Sequence, residues 1–226
     1  MDHKFYNKSR KDQNRFQFVL ALSSLAVLTL LLAVVIYVQF YFIGALFVAI
    51  LLSIIAPFFD MPSLKKSGKM QYYSSLFIAE SPKNNIIKIH GGTLFDYYFV
   101  IDWNMTGKQR TNYVIRQYLI GLLSLIETHE NNPSMKIQGT SYVINKRTAQ
   151  KIGFQVIETN VLQKVILSYN YFNILISNSL AKNRLAFPKL NNTKSFEAEI
   201  SQLMKRKDYI KKLIKSLKNN TNKHLQ

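Results

Sequence analysis

From position 18 to position 59, forty-two consecutive residues carry no charge, and most are apolar. One straight helix of that length would extend roughly 63 Å at about 1.5 Å per residue. That is about twice the ~30 Å hydrocarbon core of a bilayer, more than tilt absorbs. The run therefore predicts two spans, 18–38 and 40–59, each close to the ~20 residues a crossing needs. A tight turn joins them, with Gln39 flanked by Tyr37 and Tyr41. Small residues recur at packing intervals: Ala45, Ala49, Ser53 and Ala56 on the second span, and Ser23, Ala26 and Ala33, with Thr29 nearby, on the first. Such residues let helices approach closely in lipid. They predict a face that closes the hairpin or joins a second copy in a homo-oligomer.

Past the run the periodicity changes. Residues 60–69, with Pro62, Ser63, Ser67 and Gly68, read as a linker. Residues 71–79 read as a strand. Residues 86–90 and 93–102 predict a hairpin around Gly91-Gly92, in which Phe95, Tyr97, Phe99 and Ile101 share one face. A three-residue His90-Gly91-Gly92 loop puts Ile87 and Ile89 on that face, whereas a two-residue loop would put Lys88 and His90 there. Hydrophobic pattern favours the longer loop. Thr106 and Gln109 form a capping box that opens a helix to about 129. Val114, Ile115, Tyr118, Leu119, Leu122 and Ile126 keep helical spacing, and Asn131, Asn132 and Pro133 stop it. Residues 135–144 read as a strand. Asn145 caps a two-turn helix over 146–152, which Gly153 closes, and 154–158 form a short strand. Thr159 and Asn160 open a helix to about 182, apolar over so much of its surface that burial is expected. Ser195 opens a last helix to about 218, with Glu197 and Glu199 at the positive end of its dipole.

These elements predict a membrane protein with an N-terminal two-helix hairpin and an α/β or α+β domain, helices against a mixed sheet. The divisions are a basic N-terminus over 1–17, the hairpin over 18–59, the linker over 60–69, the domain over 70–218 and a disordered tail over 219–226.

Charge sets the orientation. Lys4, Lys8, Arg10, Lys11 and Arg15 precede the run, Lys65, Lys66 and Lys69 follow it, and the turn is uncharged. The positive-inside rule puts both termini and the domain in the cytoplasm, under an inner (plasma) membrane. The run is too long for a signal peptide and no small-residue cleavage site follows it. With no ionisable residue inside it, a proton relay or ion path is disfavoured. The Asn, Lys, Ile and Tyr bias is of the kind an AT-rich genome produces. The formal net charge is +18. Seven basic residues and one acid, Asp208, lie between positions 205 and 218. In that helix Leu203, Ile210, Leu213, Ile214 and Leu217 fall within about a third of the circumference. The apolar arc suits packing on the domain. The charge predicts that Lys205, Arg206, Lys207, Lys211, Lys212, Lys215 and Lys218 touch anionic lipid headgroups or an acidic protein partner. Nucleic acid is disfavoured, because the aromatic residues sit in apolar patterns rather than between arginines.

Candidate chemistry is sparse. The chain has no cysteine. His3, His90, His129 and His224 are not at ligand spacing and read as surface residues, so no metal or cofactor is expected. Gly107-Lys108 fails as a phosphate loop, since Asp102 stands where its first glycine is needed and Gln109 where Ser or Thr is needed. His90 and Asp96 read as a turn residue and a cross-strand contact of Lys88. Arg110 and Arg116, with Lys108, read as a solvated face. Asn145, Ala149 and Gly153-Phe154, after a strand and a long helix, resemble the end of a GCN5-type acetyltransferase core over about fifteen residues. The resemblance implies an acceptor site there. The glycine-rich loop that cradles acyl-CoA phosphates in that family has no counterpart in residues 109–114. The expected role is membrane-anchored binding, assembly or regulation. The alternative is an acyltransferase-like enzyme with a degenerate acyl-CoA loop.

Overall fold

The computed structural model describes residues 1–222. Two long apolar helices at the N-terminus precede an α/β domain with a mixed six-stranded sheet. Helix α1 (Arg10–Val38) starts at Ser9, whose hydroxyl oxygen accepts from the Asp12 amide at 3.2 Å. It ends at Gln39, which takes a left-handed conformation (φ 60°), and one residue further on α2 (Tyr41–Ile55) returns antiparallel. The turn is thus made by a polar residue tolerating an unusual φ. The backbone stays helical through Ala56 into α3 (Pro57–Lys66), so the expected linker over 60–69 is helical as far as Lys66.

The hairpin packs on a line one step away from the expected stripes. On α1, Ser24, Leu28, Leu31 and Val35 are half-buried, while Ser23, Ala26, Thr29 and Ala33 are exposed. On α2, Gly44 is buried so close to Val35 that any side chain there would strike it. Ser53 is buried and Ala56 half-buried, but Ala45 and Ala49 face outward, toward whatever surrounds the hairpin. Glycine, the smallest residue, sets the line of closest approach.

The sheet runs β1 (Met70–Ser74), β2 (Phe77–Glu80), β3 (Ile86–Gly91), β4 (Lys136–Ser141), β6 (Lys194–Glu199) and β5 (Gln155–Ile157) in spatial order. Only the β3–β4 pairing is parallel. The strand expected over 71–79 is in fact a hairpin, β1 and β2, turning at Ser75-Leu76. The second strand expected over 93–102 is helix α4 (Leu94–Val100). Asp96 decides this: its carboxylate accepts from the Thr93 amide (2.6 Å) and hydroxyl (2.8 Å), closing a first helical turn. Ile87 and Ile89 do face the core, with β2 and β4 as neighbours, but not on a face shared with Phe95, Tyr97, Phe99 and Ile101, which pack in separate clusters because α4 is not a strand.

Helix α5 (Gly107–Thr128) follows its capping box as expected. It lies so close on β2 that a side chain at Gly121 would meet Phe77. With α6 (Lys146–Lys151), capped by Asn145, it covers a core of Phe77, Ala79, Ile87, Ile137, Phe196 and Ala198. The helix expected over 160–182 is two helices, α7 (Val161–Tyr169) and α8 (Tyr171–Lys182). Asn170 breaks it, its side-chain amide donating to the Ile166 carbonyl at 2.9 Å. The expected burial fails for α7, which has no buried residue. The start of the expected last helix is strand β6. Phe196 and Ala198 alternate inward, and Glu197 outward toward Gln138 (2.6 Å) and Lys136 (3.1 Å), bonds that hold its carboxyl below the usual range. Period two won over the dipole argument. Short α9 (Ile200–Met204) and then α10 (Lys207–Asn222) complete the fold. The rest of the expected tail, 223–226, lies outside the described residues.

Candidate functional site: the junction of hairpin and domain

Proline shapes the second apolar helix. Pro57 and Pro62 lie within the continuous helical path of α2 and α3. Proline has no amide hydrogen, so the carbonyl four residues earlier loses its helical partner. Those carbonyls belong to Ser53 and Phe58. Each receives a side-chain amide from another element. Asn173 on α8 donates to Ser53 O at 2.6 Å, and Gln17 on α1 donates to Phe58 O at 3.0 Å. One freed acceptor fastens the hairpin to the domain, and the other fastens α1 to α3. An unsatisfied buried carbonyl costs about 1–3 kcal/mol, so both fasteners are specific.

Around them an aromatic cluster joins three parts of the chain. Phe5, fully buried, meets Phe95 (5.0 Å between ring centres) and Phe99 (5.2 Å) on α4 and Phe16 (6.0 Å) on α1. Phe58 and Met61 on α3 and Ile78 on β2 pack into the same cluster, with Leu20, Ile54 and Ile176 against it. The N-terminal segment is thus part of the domain's packing.

A sealed polar centre lies beneath these rings. Asp96, with no solvent exposure, also accepts from the Tyr72 hydroxyl at 2.6 Å and lies 3.3 Å from His3 Nε2. Tyr6 donates to Tyr72 at 3.4 Å, and the Lys65 ammonium sits 3.5 Å above the Tyr6 ring. Burial, and then the charge of Asp96, push the Tyr72 phenol far up; burial does the same at Tyr6. Both stay protonated as donors. Lys65 is pushed down by its own desolvation, against the pull of Asp96. His3 packs at a tilt against both Tyr6 (4.6 Å) and Phe95 (5.2 Å) and is wholly buried, not the surface residue expected. This imidazole and carboxylate are closed off from solvent and join the N-terminal segment to β1 and α4.

The other candidates fall as follows. Arg110 is buried, and its guanidinium donates to the carbonyls of Trp103 (2.7 Å), Met105 (2.9 Å) and Leu180 (3.1 Å), so it is a staple rather than a solvated charge. His90 is on β3 with Glu80 at 2.9 Å, away from Asp96. Tyr73 meets His129 at 2.9 Å, and burial pushes that imidazole down. His224 lies outside the described residues. Among the described residues no group of three His, Cys, Asp or Glu is placed to hold a metal ion. The start of α5, where an acyl-CoA phosphate would sit, is occupied by its own cap and by the backbone of Lys182 against Gly107.

The basic set lies elsewhere. Ile210 is fully buried, and Leu213, Ile214 and Leu217 pack on the core under α5. Lys205, Arg206, Lys211, Lys212, Lys215 and Lys218 are exposed, whereas Lys207 reaches Glu130 (3.5 Å) and Glu127 (3.7 Å). This face of the sheet is opposite to the one carrying Tyr72 and Ile78, on which α3 and α4 sit.

The junction is not among the features expected from the residue pattern. Pro57 and Pro62, inside an apolar helix, were its available signal. In comparisons with protein-family models, curated proteins and solved structures, nothing matches the chain.

Proposed function

We propose that the chain is a two-span integral protein of the inner (plasma) membrane whose α/β domain stands on the cytoplasmic side as a binding or assembly platform. The observation that carries this reading is the junction. Apolar helices with exposed Phe18, Leu22, Leu30 and Phe42 need a nonaqueous surround, and they are tied to the domain by Asn173 on the Ser53 carbonyl, by Phe58 packed on Phe95 and by His3 on Asp96. The domain is therefore carried at a fixed attitude to the bilayer. A sealed polar centre and a closed helix start favour binding over catalysis.

Helix α10 is the binding surface, and an acidic protein partner is its ligand. Its apolar arc is used in packing, so only charge is on offer. Its position across the sheet from α3 turns the lysines away from the hairpin, which favours a partner protein over the leaflet. The full-length protein should be captured from detergent by an immobilised acidic polypeptide, poly-glutamate, with binding lost as salt screens the charges. Changing Lys211, Lys212 and Lys215 to Gln should remove most of the capture. Undiminished capture by this variant would overturn the assignment. Preferential binding of phosphatidylglycerol vesicles through these lysines would transfer it to lipid.

A further inference from the structure

Helix α7 presents a face that nothing in the domain covers. Val161, Leu162, Val165, Ile166 and Tyr169 are exposed, from 44% at Ile166 to 72% at Val161. At about 100° per residue these five fall within an arc of roughly 140°. Gln163 and Leu167, half-buried, point toward the protein, and Lys164 and Ser168 occupy the remaining flank. The helix therefore has an inner side, a polar side and a wide apolar side turned outward. Its main packing partner is α8. Five large apolar side chains displayed by nine residues are too many for a helix in water.

Where α7 lies says what covers it. Asn170 separates it from α8, whose Asn173 is bonded to the Ser53 carbonyl of α2. Ser53 is six residues inside the charge-free run, which ends at Phe59. Six residues of helix are about 9 Å, close to the ~5–10 Å depth at which the apolar side of an interfacial helix settles. Tyr169, Tyr171 and Phe172 stand at the end nearest this contact, and such aromatic residues favour the membrane–water interface. The exposed apolar arc thus ends, at Tyr169, beside the start of α8, the helix that contacts α2.

We propose that α7 is an interfacial helix, its Val161–Leu162–Val165–Ile166–Tyr169 face resting in the headgroup–acyl boundary beside the hairpin. The inference rests on the membrane-anchored reading. It adds a third membrane contact, made by the domain itself. Lys164, on the flank, is placed to reach the headgroups. The hairpin and α7 together hold the domain at two places, which fixes its rotation about the hairpin axis as well as its height.

The chain has no cysteine, so single cysteines can be placed without background. The full-length protein is reconstituted in phosphatidylcholine–phosphatidylglycerol vesicles with a bimane label at Val165→Cys, Lys164→Cys, Leu30→Cys or Val143→Cys. A nitroxide on the acyl chain near the headgroup reports lipid contact, and iodide reports water. The label at Val165 should be quenched by the lipid nitroxide and protected from iodide. Those at Lys164 and Val143 should remain open to iodide, and Leu30 should be protected from it. If Leu30 is protected while Val165 is as open to iodide as Val143, α7 lies in water and the inference fails, with the anchor intact. Shielding of Val165 from both quenchers would assign the face to a protein contact and also overturn the inference. Iodide access at Leu30 would remove the anchored reading itself.

Discussion

Helices α10 and α7 are both amphipathic, and the fold uses them in opposite senses. In α10, Ile210, Leu213, Ile214 and Leu217 turn inward beneath α5, and the lysines turn outward. In α7, the valines, leucine and isoleucine turn outward, and the half-buried Gln163 and Leu167 face the protein. Periodicity identifies an apolar face in each. It does not say what covers the face. For α10 the cover is the core under the sheet. For α7 the neighbour α8 is already engaged with α2 through Asn173 and Ser53, and the face is left to the surroundings.

The largest expected effect separates the two arcs by stability. Ile210→Ala empties a fully buried site and should cost about 2–5 kcal/mol. Val165→Ala should change the unfolding of the detergent-solubilised protein by less than ~0.5 kcal/mol, as an exposed site does. Comparable losses at both positions, measured by thermal or denaturant unfolding, would mean that the α7 face is covered within the protein.

A smaller effect tests how α7 and α8 are pinned to the hairpin. Asn173→Ala leaves the Ser53 carbonyl without a donor and should cost about 1–3 kcal/mol. Pro57→Ala returns a backbone amide to that carbonyl. In the Pro57→Ala background, the cost of Asn173→Ala should fall by about 1 kcal/mol or more, a coupling that a double-mutant cycle reads directly. Additive effects would show that the freed carbonyl is not what Asn173 serves.

The smallest effect sorts the charges of α10. Lys207→Gln removes contacts with Glu127 and Glu130 and should cost less than ~1 kcal/mol, because all three side chains are partly solvated. Lys212→Gln should leave stability unaltered and weaken capture by the acidic ligand. The reverse ranking, with Lys212 the more stabilising, would place the partner surface on the wrong side of the helix.

What could be read from the chain follows the range of the forces involved. The two apolar helices, the capping box at Thr106 and Gln109, the Asn145 cap and the inward side of β3 depend on neighbours in sequence, and all were legible. Asp96 was not, because a strand pattern of Phe95, Tyr97 and Phe99 competed with a local cap, and the cap won. Residues 194–199 went the other way: acids suited to a helix start became a strand because β4 and β5 supplied partners on either side. The junction depends on His3 meeting Asp96 and on Asn173 meeting Ser53, contacts across 93 and 120 residues of chain, which no local pattern encodes. The outward Ala45 and Ala49 show the same limit: spacing marked a stripe of small residues, but Gly44 and Val35 determined which side of it closes.

In the proposed arrangement one membrane separates the Gln39 turn from the rest of the chain. Because His3 and Phe5 are packed into the domain, the N-terminus has to lie on the domain's side. Single cysteines at Gln39, Ser9 and Lys218 can be tested in intact cells with a membrane-impermeant thiol reagent. Labelling is expected at Gln39→Cys alone, with Ser9→Cys and Lys218→Cys labelled only after the membrane is opened. Labelling of Ser9→Cys or Lys218→Cys in intact cells, or failure at Gln39→Cys, would contradict it.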